Sequence, residues 1–333
     1  MKSDQKIIDL TFPHVFSFNQ GLRDDTEISF TAPNAINKAK DTITSIWLEN
    51  VYYTKIPEWV FDFTNLEDLS ITGPNLRSIS EAEMDKLVKL RNLQKLTIIG
   101  SRVDSLPAGI DKMTLLSELT ISGGGFSHFP ESIKNLEKLR KLRFSGKFTE
   151  FPPPLFDLVN LEELELFDSI PMDLSLSRSR LINLRKLTIH GRSVVELPDR
   201  FFPGKKMREL DLKSSRIEHL PKNLSGWPEL ESLLLLNSPV MELPDDIGKC
   251  KKLRKIDASM TYIRSLPESI GDCENLEELS LFRTQIDSLP RSLGQCKKLR
   301  LLDTQSTRIK GIPKELSHVS EIKARLRVLR NKY

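Results

Sequence analysis

Three evenly spaced cysteines are the first residues in this chain whose type and pattern suggest chemistry. Cys250, Cys273 and Cys296 follow one another at intervals of 23 residues. Such a set could ligate a metal ion, form a disulfide framework or act as a redox site. A metal ion needs ligands that surround one point, and no histidine recurs together with these cysteines. Their meaning therefore depends on whether the residues around them share the same period.

Other motifs that could carry chemistry are incomplete. The five histidines occupy unrelated places in the sequence: His14, His128, His190, His219 and His318. The chain has no His-Glu-x-x-His or Gly-x-Ser-x-Gly motif and no paired cysteines. The stretch SGGGF at residues 122–126 resembles a phosphate-binding loop but lacks the P-loop spacing. We therefore predict no catalytic residues, no cofactor and no metal site.

The cysteine spacing belongs to a repeat that extends from residue 43 to residue 313. Twelve repeats begin at Ile43, Leu66, Leu93, Leu116, Leu139, Leu161, Leu184, Met207, Leu230, Leu253, Leu276 and Leu299. All steps are 23 residues, except for 27 after Leu66 and 22 after Leu139. Apolar residues recur at offset three in all twelve repeats and at offset five in the first eleven, and ten of the 19 prolines occupy one Leu-Pro slot. A fixed period of this length indicates a stacked repeat architecture.

This pattern resembles the leucine-rich repeat superfamily through its Leu-x-x-Leu-x-Leu core, as in Leu276, Leu279 and Leu281. The stretch Leu-Pro-x-x-Ile at residues 266–270 is similar to the 23-residue intracellular subtype of plant intracellular Ras-group-related and bacterial repeat proteins. At offset eight, where the family usually has Asn or Cys, this chain mostly has Ser or Thr, whose hydroxyls can also bond the turn backbone. The resemblance implies partner binding through concave strands.

Each repeat alternates apolar and polar residues over a short strand, then turns and returns through a Leu-Pro segment. One repeat cannot bury its apolar face alone, so the repeats must stack. We predict an α/β leucine-rich repeat solenoid (horseshoe) of about twelve repeats. Its parallel sheet would line the concave face, with short helical turns or extended segments on the convex face. Residues 1–42 would form an N-terminal cap with short strands at IIDLTF and EISFTA.

Two true helices are predicted outside the standard repeat. The capping-box pattern Ser80-Glu-Ala-Glu83 predicts a helix over about 81–89 in the long repeat. Residues 314–333 are predicted to be a C-terminal capping helix, with Val319, Ile322 and Leu326 at helical spacing. Its basic face leaves open a second interpretation, contact with a membrane or an acidic partner.

The repeat also explains the cysteines. Each lies three residues before a repeat start, where other repeats carry Phe63, Leu90, Met113, Leu136, Leu158, Leu181 and Trp227. We therefore interpret the cysteines as buried free thiols that pack as small apolar side chains. Unpaired cysteines are typical of a reducing compartment.

Composition limits the environment and the class of partner. The net charge of +4 among 96 charged residues is nearly balanced, which predicts no nucleic-acid surface. The first twenty residues have no apolar stretch of signal-peptide length, and no segment is long and apolar enough for a membrane span. A cytoplasmic location is expected, and non-classical export as a bacterial effector stays open.

Residues that point to solvent from the predicted strands are the candidates for binding. At offsets one and two, the charge sign largely alternates between neighbouring repeats, which indicates a structural ladder. At offsets four, six and seven, exposed apolar residues cluster with Met and Arg, as in interface cores. The predicted partner-binding residues are Phe167, His190, Lys213, Leu234, Leu236, Asp257, Met260, Phe282 and Arg283.

These residues favour non-catalytic recognition of a protein or peptide on the concave face. Two alternatives remain open from the sequence. The chain could be the substrate-recognition part of a bacterial ubiquitin-ligase-type effector whose catalytic domain lies outside this sequence. It could also be a structural or adhesive protein that self-associates weakly through the same apolar residues.

Overall fold

The computed structural model describes residues 6–8, 15–18, 28–30, 40–49, 51–148, 150–167, 180–191, 197 and 205–324. The chain forms two compact units. The N-terminal unit comprises Met1–Phe148 and Pro152–Leu161, and the C-terminal unit comprises Thr149–Phe151 and Glu162–Tyr333.

The N-terminal unit contains eight described strands. They are β1 (Lys6–Ile8), β2 (Val15–Phe18), β3 (Ile28–Phe30), β4 (Ser45–Leu48), β5 (Asp68–Thr72), β6 (Lys95–Ile99), β7 (Glu118–Ser122) and β8 (Lys141–Ser145). Strands β1 and β3 pair in parallel, and they overlap the two strands predicted at the N-terminus. Strand β2 pairs with β4, and parallel pairing continues in chain order to β8. The sheet therefore includes β2, which belongs to the segment predicted as the N-terminal cap.

The C-terminal unit contributes eight more strands, all parallel and paired in chain order. They are β9 (Glu163–Phe167), β10 (Lys186–His190), β11 (Glu209–Asp211), β12 (Ser232–Leu234), β13 (Lys255–Asp257), β14 (Glu278–Ser280), β15 (Leu301–Asp303) and β16 (Glu321–Lys323). Each of the twelve predicted repeats thus supplies one strand, from β4 to β15.

Short 3₁₀ helices form most of the return segments. They are η1 (Glu58–Asp62), η2 (Ala108–Lys112), η3 (Glu131–Asn135), η4 (Pro153–Asp157), η5 (Leu224–Gly226), η6 (Asp245–Lys249), η7 (Glu268–Asp272), η8 (Arg291–Gln295) and η9 (Lys314–Leu316). Except for η5, each follows a proline whose φ lies between −56° and −68°. Because the proline ring fixes φ near this value, it starts the turn at the same point in each repeat.

The long repeat contains the predicted α-helix, α1 (Glu81–Leu87). Its capping box is complete, since Ser80 Oγ accepts a bond from Glu83 N at 3.3 Å and Glu83 Oε2 accepts one from Ser80 N at 3.0 Å. The other oxygen of Glu83 accepts a bond from Ile56 N at 2.9 Å, so the same carboxylate ties α1 to the first repeat.

The core follows the repeat. The starting residues of all twelve repeats are buried, as are those at offset three and those at offset five. The cysteine interpretation is confirmed, because Cys250, Cys273 and Cys296 are free and buried. Each Sγ lies 3.2 to 3.5 Å from a carbonyl oxygen of the preceding repeat. Burial raises the pKa of Cys250 and of Cys273 to about 12 and that of Cys296 to about 11.

The turn after each strand is built differently in the two units. In repeats two to five, in the N-terminal unit, the residue at offset seven is glycine: Gly73, Gly100, Gly123 and Gly146. A Cβ at Gly123 would lie 1.9 Å from Val103 O. In the C-terminal unit, offset seven adopts positive φ at Gly191, Ser214, Asn237, Met260, Arg283 and Ser306. Offset eight then supplies a hydroxyl, for example Thr284 Oγ1, which donates to Leu281 O at 2.8 Å. Thr261 and Thr307 make the corresponding bonds, as the sequence predicts.

The predicted C-terminal helix is wrong over Glu321–Lys323, which forms β16 instead. Glu321 N donates to Arg300 O at 2.9 Å, and Thr304 N donates to Lys323 O at 2.7 Å. Strand β15 would otherwise leave these backbone groups without a partner strand, and pairing them outweighs a short helical pattern. Residues 325–333 of the predicted helix, including Leu326, lie outside the described residues.

Candidate binding face of the C-terminal unit

The solvent-facing side of strands β9 to β15, together with the residues that directly follow these strands, is called the strand face below. His190 pairs in register with Phe167 across β9 and β10. Beyond the shorter strands the ladder continues, because Ser214 N donates to Leu236 O at 2.8 Å and Met260 N donates to Phe282 O at 2.7 Å. The structure therefore aligns the offset-six residues of successive repeats.

Most of the predicted binding residues are accessible on this face. Phe167, His190, Lys213, Leu236, Asp257 and Phe282 are half-buried, and Met260 and Arg283 are exposed. The expectation that Leu234 is exposed is wrong, because its side chain is only 8% exposed. Leu234 stands in register between Asp211 and Asp257. Parallel strands are only about 4.8 Å apart, so neighbouring side chains on the same face cover one another.

Four residues, on three adjacent strands or directly after them, form a histidine cluster: Phe167, His190, Asp211 and Lys213. The Phe167 and His190 rings meet edge to face with centroids 5.3 Å apart. His190 Nε2 donates to Asp211 Oδ1 at 3.1 Å, and Lys213 Nζ lies 3.3 Å from Asp211 Oδ2. Asp211 is buried and links the half-buried His190 and Lys213 side chains. Asp211 was not among the binding residues predicted from the sequence.

The imidazole of His190 is held in a defined orientation. Because Nε2 bonds the carboxylate, Nδ1 faces away from Asp211, and it has no hydrogen-bond partner among the described residues. Next to this cluster, Thr188 lies in register between Glu165 and Asp211. Thr188 is 4% exposed, and its Oγ1 has no hydrogen-bond partner within the described part of the chain. The floor of the strand face is therefore polar at β10 and β11 and apolar at β12.

Asp257 has a structural role of its own. Its Oδ1 accepts a bond from Ser259 N at 3.1 Å, which closes the turn at the end of β13. Asp211 and Asp303 make the same bond to the backbone two residues later, at 3.1 Å and 2.9 Å. Asp side chains stabilise turns in this way. Turn geometry therefore accounts for the aspartates on strands β11, β13 and β15, and no binding partner is needed to explain them.

A second group, the turn cluster, consists of Met260, Phe282 and Arg283. The Arg283 guanidinium carbon lies 5.1 Å from the centre of the Phe282 ring, within the range of a cation–π contact. Met260 and Arg283 have φ of 59° and 55°, so both side chains project from a left-handed turn. This conformation separates them from the strand and keeps them exposed.

Sequence reasoning missed a groove beside the turn cluster. Met241, Tyr262, Arg264 and Gln285 line a cavity of about 390 Å³. Met241 is 45% exposed and Tyr262 is 54% exposed. These residues occupy offsets nine and eleven, beyond the turn, whereas the predicted binding residues end at offset seven. The large side chains of Met241 and Tyr262 at positions outside the apolar core pattern are the sequence signal for this groove.

The predicted charge ladder at offsets one and two is present. Lys186 Nζ lies 2.9 Å from Glu209, Arg254 lies 2.8 Å from Glu277, and Lys255 lies 3.1 Å from Glu278. A hydrogen bond from Lys255 lowers the pKa of Glu278. These pairs are exposed or half-buried, so each contributes little free energy. They lie beside the candidate site and help to fix the register of its strands.

No group of three or more His, Cys, Asp or Glu side chains in the described ranges is arranged to hold a metal ion. A helix with the length and apolar character of a membrane span is also absent from those ranges.

The arrangement is similar to known repeat proteins. Residues 63–190 match the family described as a leucine-rich repeat region. The chain is 28% identical over 192 residues to the probable serine/threonine-protein kinase pats1 of Dictyostelium discoideum. That match covers 53% of this chain but only 6% of the kinase.

Two solved structures share the fold. One is the leucine-rich repeat ectodomain of the receptor kinase GASSHO1/SCHENGEN3 of Arabidopsis thaliana in complex with CASPARIAN STRIP INTEGRITY FACTOR 2. It is 18% identical with a TM-score of 0.57, covering 93% of this chain and 46% of that chain. The other is TLR13 in complex with ssRNA13, 16% identical with a TM-score of 0.68, covering 96% and 48%. The fold is a leucine-rich repeat solenoid, as predicted.

Proposed function

We propose that this chain is a non-catalytic recognition module that binds a protein or peptide through the strand face of its C-terminal unit. One observation carries the proposal: consecutive repeats align Phe167, His190, Lys213 and Leu236 in one accessible line. Phe282 occupies the same offset two repeats after Leu236, and Met260 and Arg283 lie next to it at the turns. Such a mixture of aromatic, aliphatic, Met and Arg side chains is typical of interface cores.

Within this proposal the residues have different tasks. Phe167, Leu236 and Phe282 would supply the apolar contacts, and His190 and Lys213 would fix the orientation of polar groups of the partner. Leu234 and Asp257 would support this surface from below, because Leu234 is buried and Asp257 closes a turn. The fold supports the role, since leucine-rich repeats commonly bind other proteins.

We further assign the chain to the 23-residue intracellular subtype and to a reducing compartment such as the cytoplasm. The repeat length and the Leu-Pro-x-x-Ile stretch support the subtype. The three buried free thiols support the compartment. Export as a bacterial effector is the alternative.

A second candidate function is the recognition part of a larger enzyme. The match to a small fraction of a Dictyostelium kinase favours it, because similar repeats there belong to a much longer chain.

A third candidate function is weak self-association through the strand face. Measuring the mass of the purified chain in solution over a range of concentrations distinguishes it from the other two.

A selection from a display library of random peptides tests the proposed function. The purified chain is used as bait, and binding of enriched peptides is measured by fluorescence anisotropy. The variant Phe167→Ser/Leu236→Ser/Phe282→Ser should lose binding. The control Leu115→Ser/Ile182→Ser replaces two exposed apolar residues outside the strand face and should keep it.

Circular dichroism and thermal unfolding show whether both variants are folded. If the strand-face variant is folded and binds the enriched peptides as tightly as the wild type does, the strand face is not the recognition surface.

A further inference from the structure

The side of the C-terminal unit that follows the turns is called the turn edge. It comprises the residues at offsets seven, nine and eleven of repeats eight to twelve. The groove of about 390 Å³ lined by Met241, Tyr262, Arg264 and Gln285 lies here. Neither the apolar core of the repeats nor the charge ladder requires exposed Met and Tyr side chains at these positions. Their exposure therefore calls for another explanation.

The turn edge has a continuous backbone support. Tyr262 N donates to Val240 O at 2.9 Å, and Gln285 N donates to Ile263 O at 3.1 Å. Arg308 N extends the series with a bond of 2.8 Å to Ile286 O. Each repeat is thus bonded to the previous one directly beneath the groove. A surface built on such a ladder is preorganised, which lowers the entropic cost of binding.

Charge distinguishes the turn edge from the neighbouring sheet. Its five cationic residues are all exposed, and none of them has a carboxylate within 4 Å among the described residues. They are Arg216, Arg264, Arg283, Arg308 and Lys310. The cations of the sheet differ in this respect. Each Lys or Arg in β9 to β15, and each one at offset one, two or six of the same repeats, has a carboxylate within 4 Å. Against the five cations stand two carboxylates, Glu218 and Asp287, so the turn edge carries a net charge of +3.

We propose that the turn edge binds an acidic segment of a protein partner that also carries a bulky apolar side chain. This inference names the partner chemistry for the proposed recognition role and therefore rests on it. The apolar side chain would enter the groove between Met241 and Tyr262, since Met adapts its shape to different apolar groups. Carboxylates on either side of it would pair with Arg264 and Arg283, whose planar guanidinium groups suit carboxylates.

The turn edge joins the strand face through Arg283, which stacks on Phe282. One partner segment can therefore contact both surfaces. A protein fits better than a nucleic acid, because Glu218 and Asp287 interrupt the cations and would repel a continuous phosphate backbone.

The composition of peptides selected on the wild-type chain tests this inference. Enriched peptides should be acidic and should contain an aromatic or large aliphatic residue. Their affinity should fall about five- to tenfold on Arg264→Glu. Arg291→Glu makes the same change of charge at an exposed cation in η8, and it should leave the affinity within about twofold. A peptide with one acidic residue replaced by Lys should recover binding to the Arg264→Glu variant.

The outcomes separate this inference from the proposed function. Enrichment of basic or uncharged peptides, or equal effects of Arg264→Glu and Arg291→Glu, would overturn the acidic-segment inference alone. Failure to enrich any peptide, or binding unaffected by the triple strand-face variant, would overturn the proposed function. Single-stranded oligouridylate is titrated in parallel. If it binds more tightly than the peptides and depends on Arg264, the ligand of the turn edge is a nucleic acid, not a protein.

Discussion

His190 Nε2 lies 3.1 Å from Asp211 Oδ1 and joins strands β10 and β11 on the strand face. The same oxygen accepts the bond from Lys213 N, at 3.1 Å, that closes the turn after β11. A single buried carboxylate therefore shapes the backbone and positions two of the predicted binding residues. The recognition surface and the fold share this residue, and changing it should affect both.

Replacing Asp211 with Ala should lower the free energy of unfolding by about 1 to 3 kcal/mol, because Lys213 N loses its acceptor in a partly buried place. Asp211→Asn should cost less, since its amide oxygen can still accept that bond. Urea unfolding of both variants measures the difference. Equal losses of unfolding free energy in the Ala and Asn variants would show that the charge of Asp211, and not its bond to Lys213 N, contributes this stability.

The hydroxyl ladder at offset eight should contribute measurably to stability. Thr284→Val keeps the shape of the side chain but removes the donor to Leu281 O, and we expect a loss of about 1 kcal/mol. Thr114→Val, at an exposed position, is the matched control and should change little. Both are measured by urea unfolding, and a Thr284→Val variant as stable as the control would contradict the role given to this hydroxyl.

Glycine at offset seven of the N-terminal unit should be irreplaceable for steric reasons. A Cβ at Gly123 would lie 1.9 Å from Val103 O, so Gly123→Ala should destabilise the fold by at least about 2 kcal/mol. Around Gly311 a Cβ would meet no atom within 4 Å, so Gly311→Ala should be neutral or slightly stabilising. Thermal unfolding compares the stability of the two variants. Similar unfolding midpoints would contradict the close approach of Gly123 to Val103 O.

The buried thiols should make stability fall at high pH. Burial raises the pKa of Cys273 from 9.0 to about 12, so the folded state holds the thiol proton more tightly than the unfolded state does. The resulting stabilisation is fully present below pH 9 and is lost as the pH rises towards 12. The unfolding free energy of the wild type should therefore fall more steeply above pH 9 than that of Cys273→Ala, by up to about 1.4 kcal/mol per pH unit.

Urea unfolding of the reduced wild type and of Cys273→Ala at several pH values measures this difference. The variant itself serves as the control for Lys and Tyr side chains that titrate in the same range. Parallel pH profiles would mean that the folded state does not hold this proton more tightly.

The sequence determined the repeat, the strand of each repeat and the buried side of each strand. It also determined that the cysteines lie in the core and that Ser80 caps helix α1. These features depend on periodicity and on local hydrogen bonds, which a linear sequence records directly. The types of side chain that offset six presents to solvent could be inferred from the sequence for the same reason.

Only the tertiary structure decided which side chains on the open side of the sheet remain accessible. Leu234 is buried by its neighbours on adjacent strands, Asp211 bonds both His190 and Lys213, and Asp257 closes a turn. The exposed groove at Met241 and Tyr262 and the strand at Glu321–Lys323 likewise depend on contacts between repeats. A period specifies the direction in which a side chain points, but its accessibility and its partners depend on residues about twenty positions away in the chain.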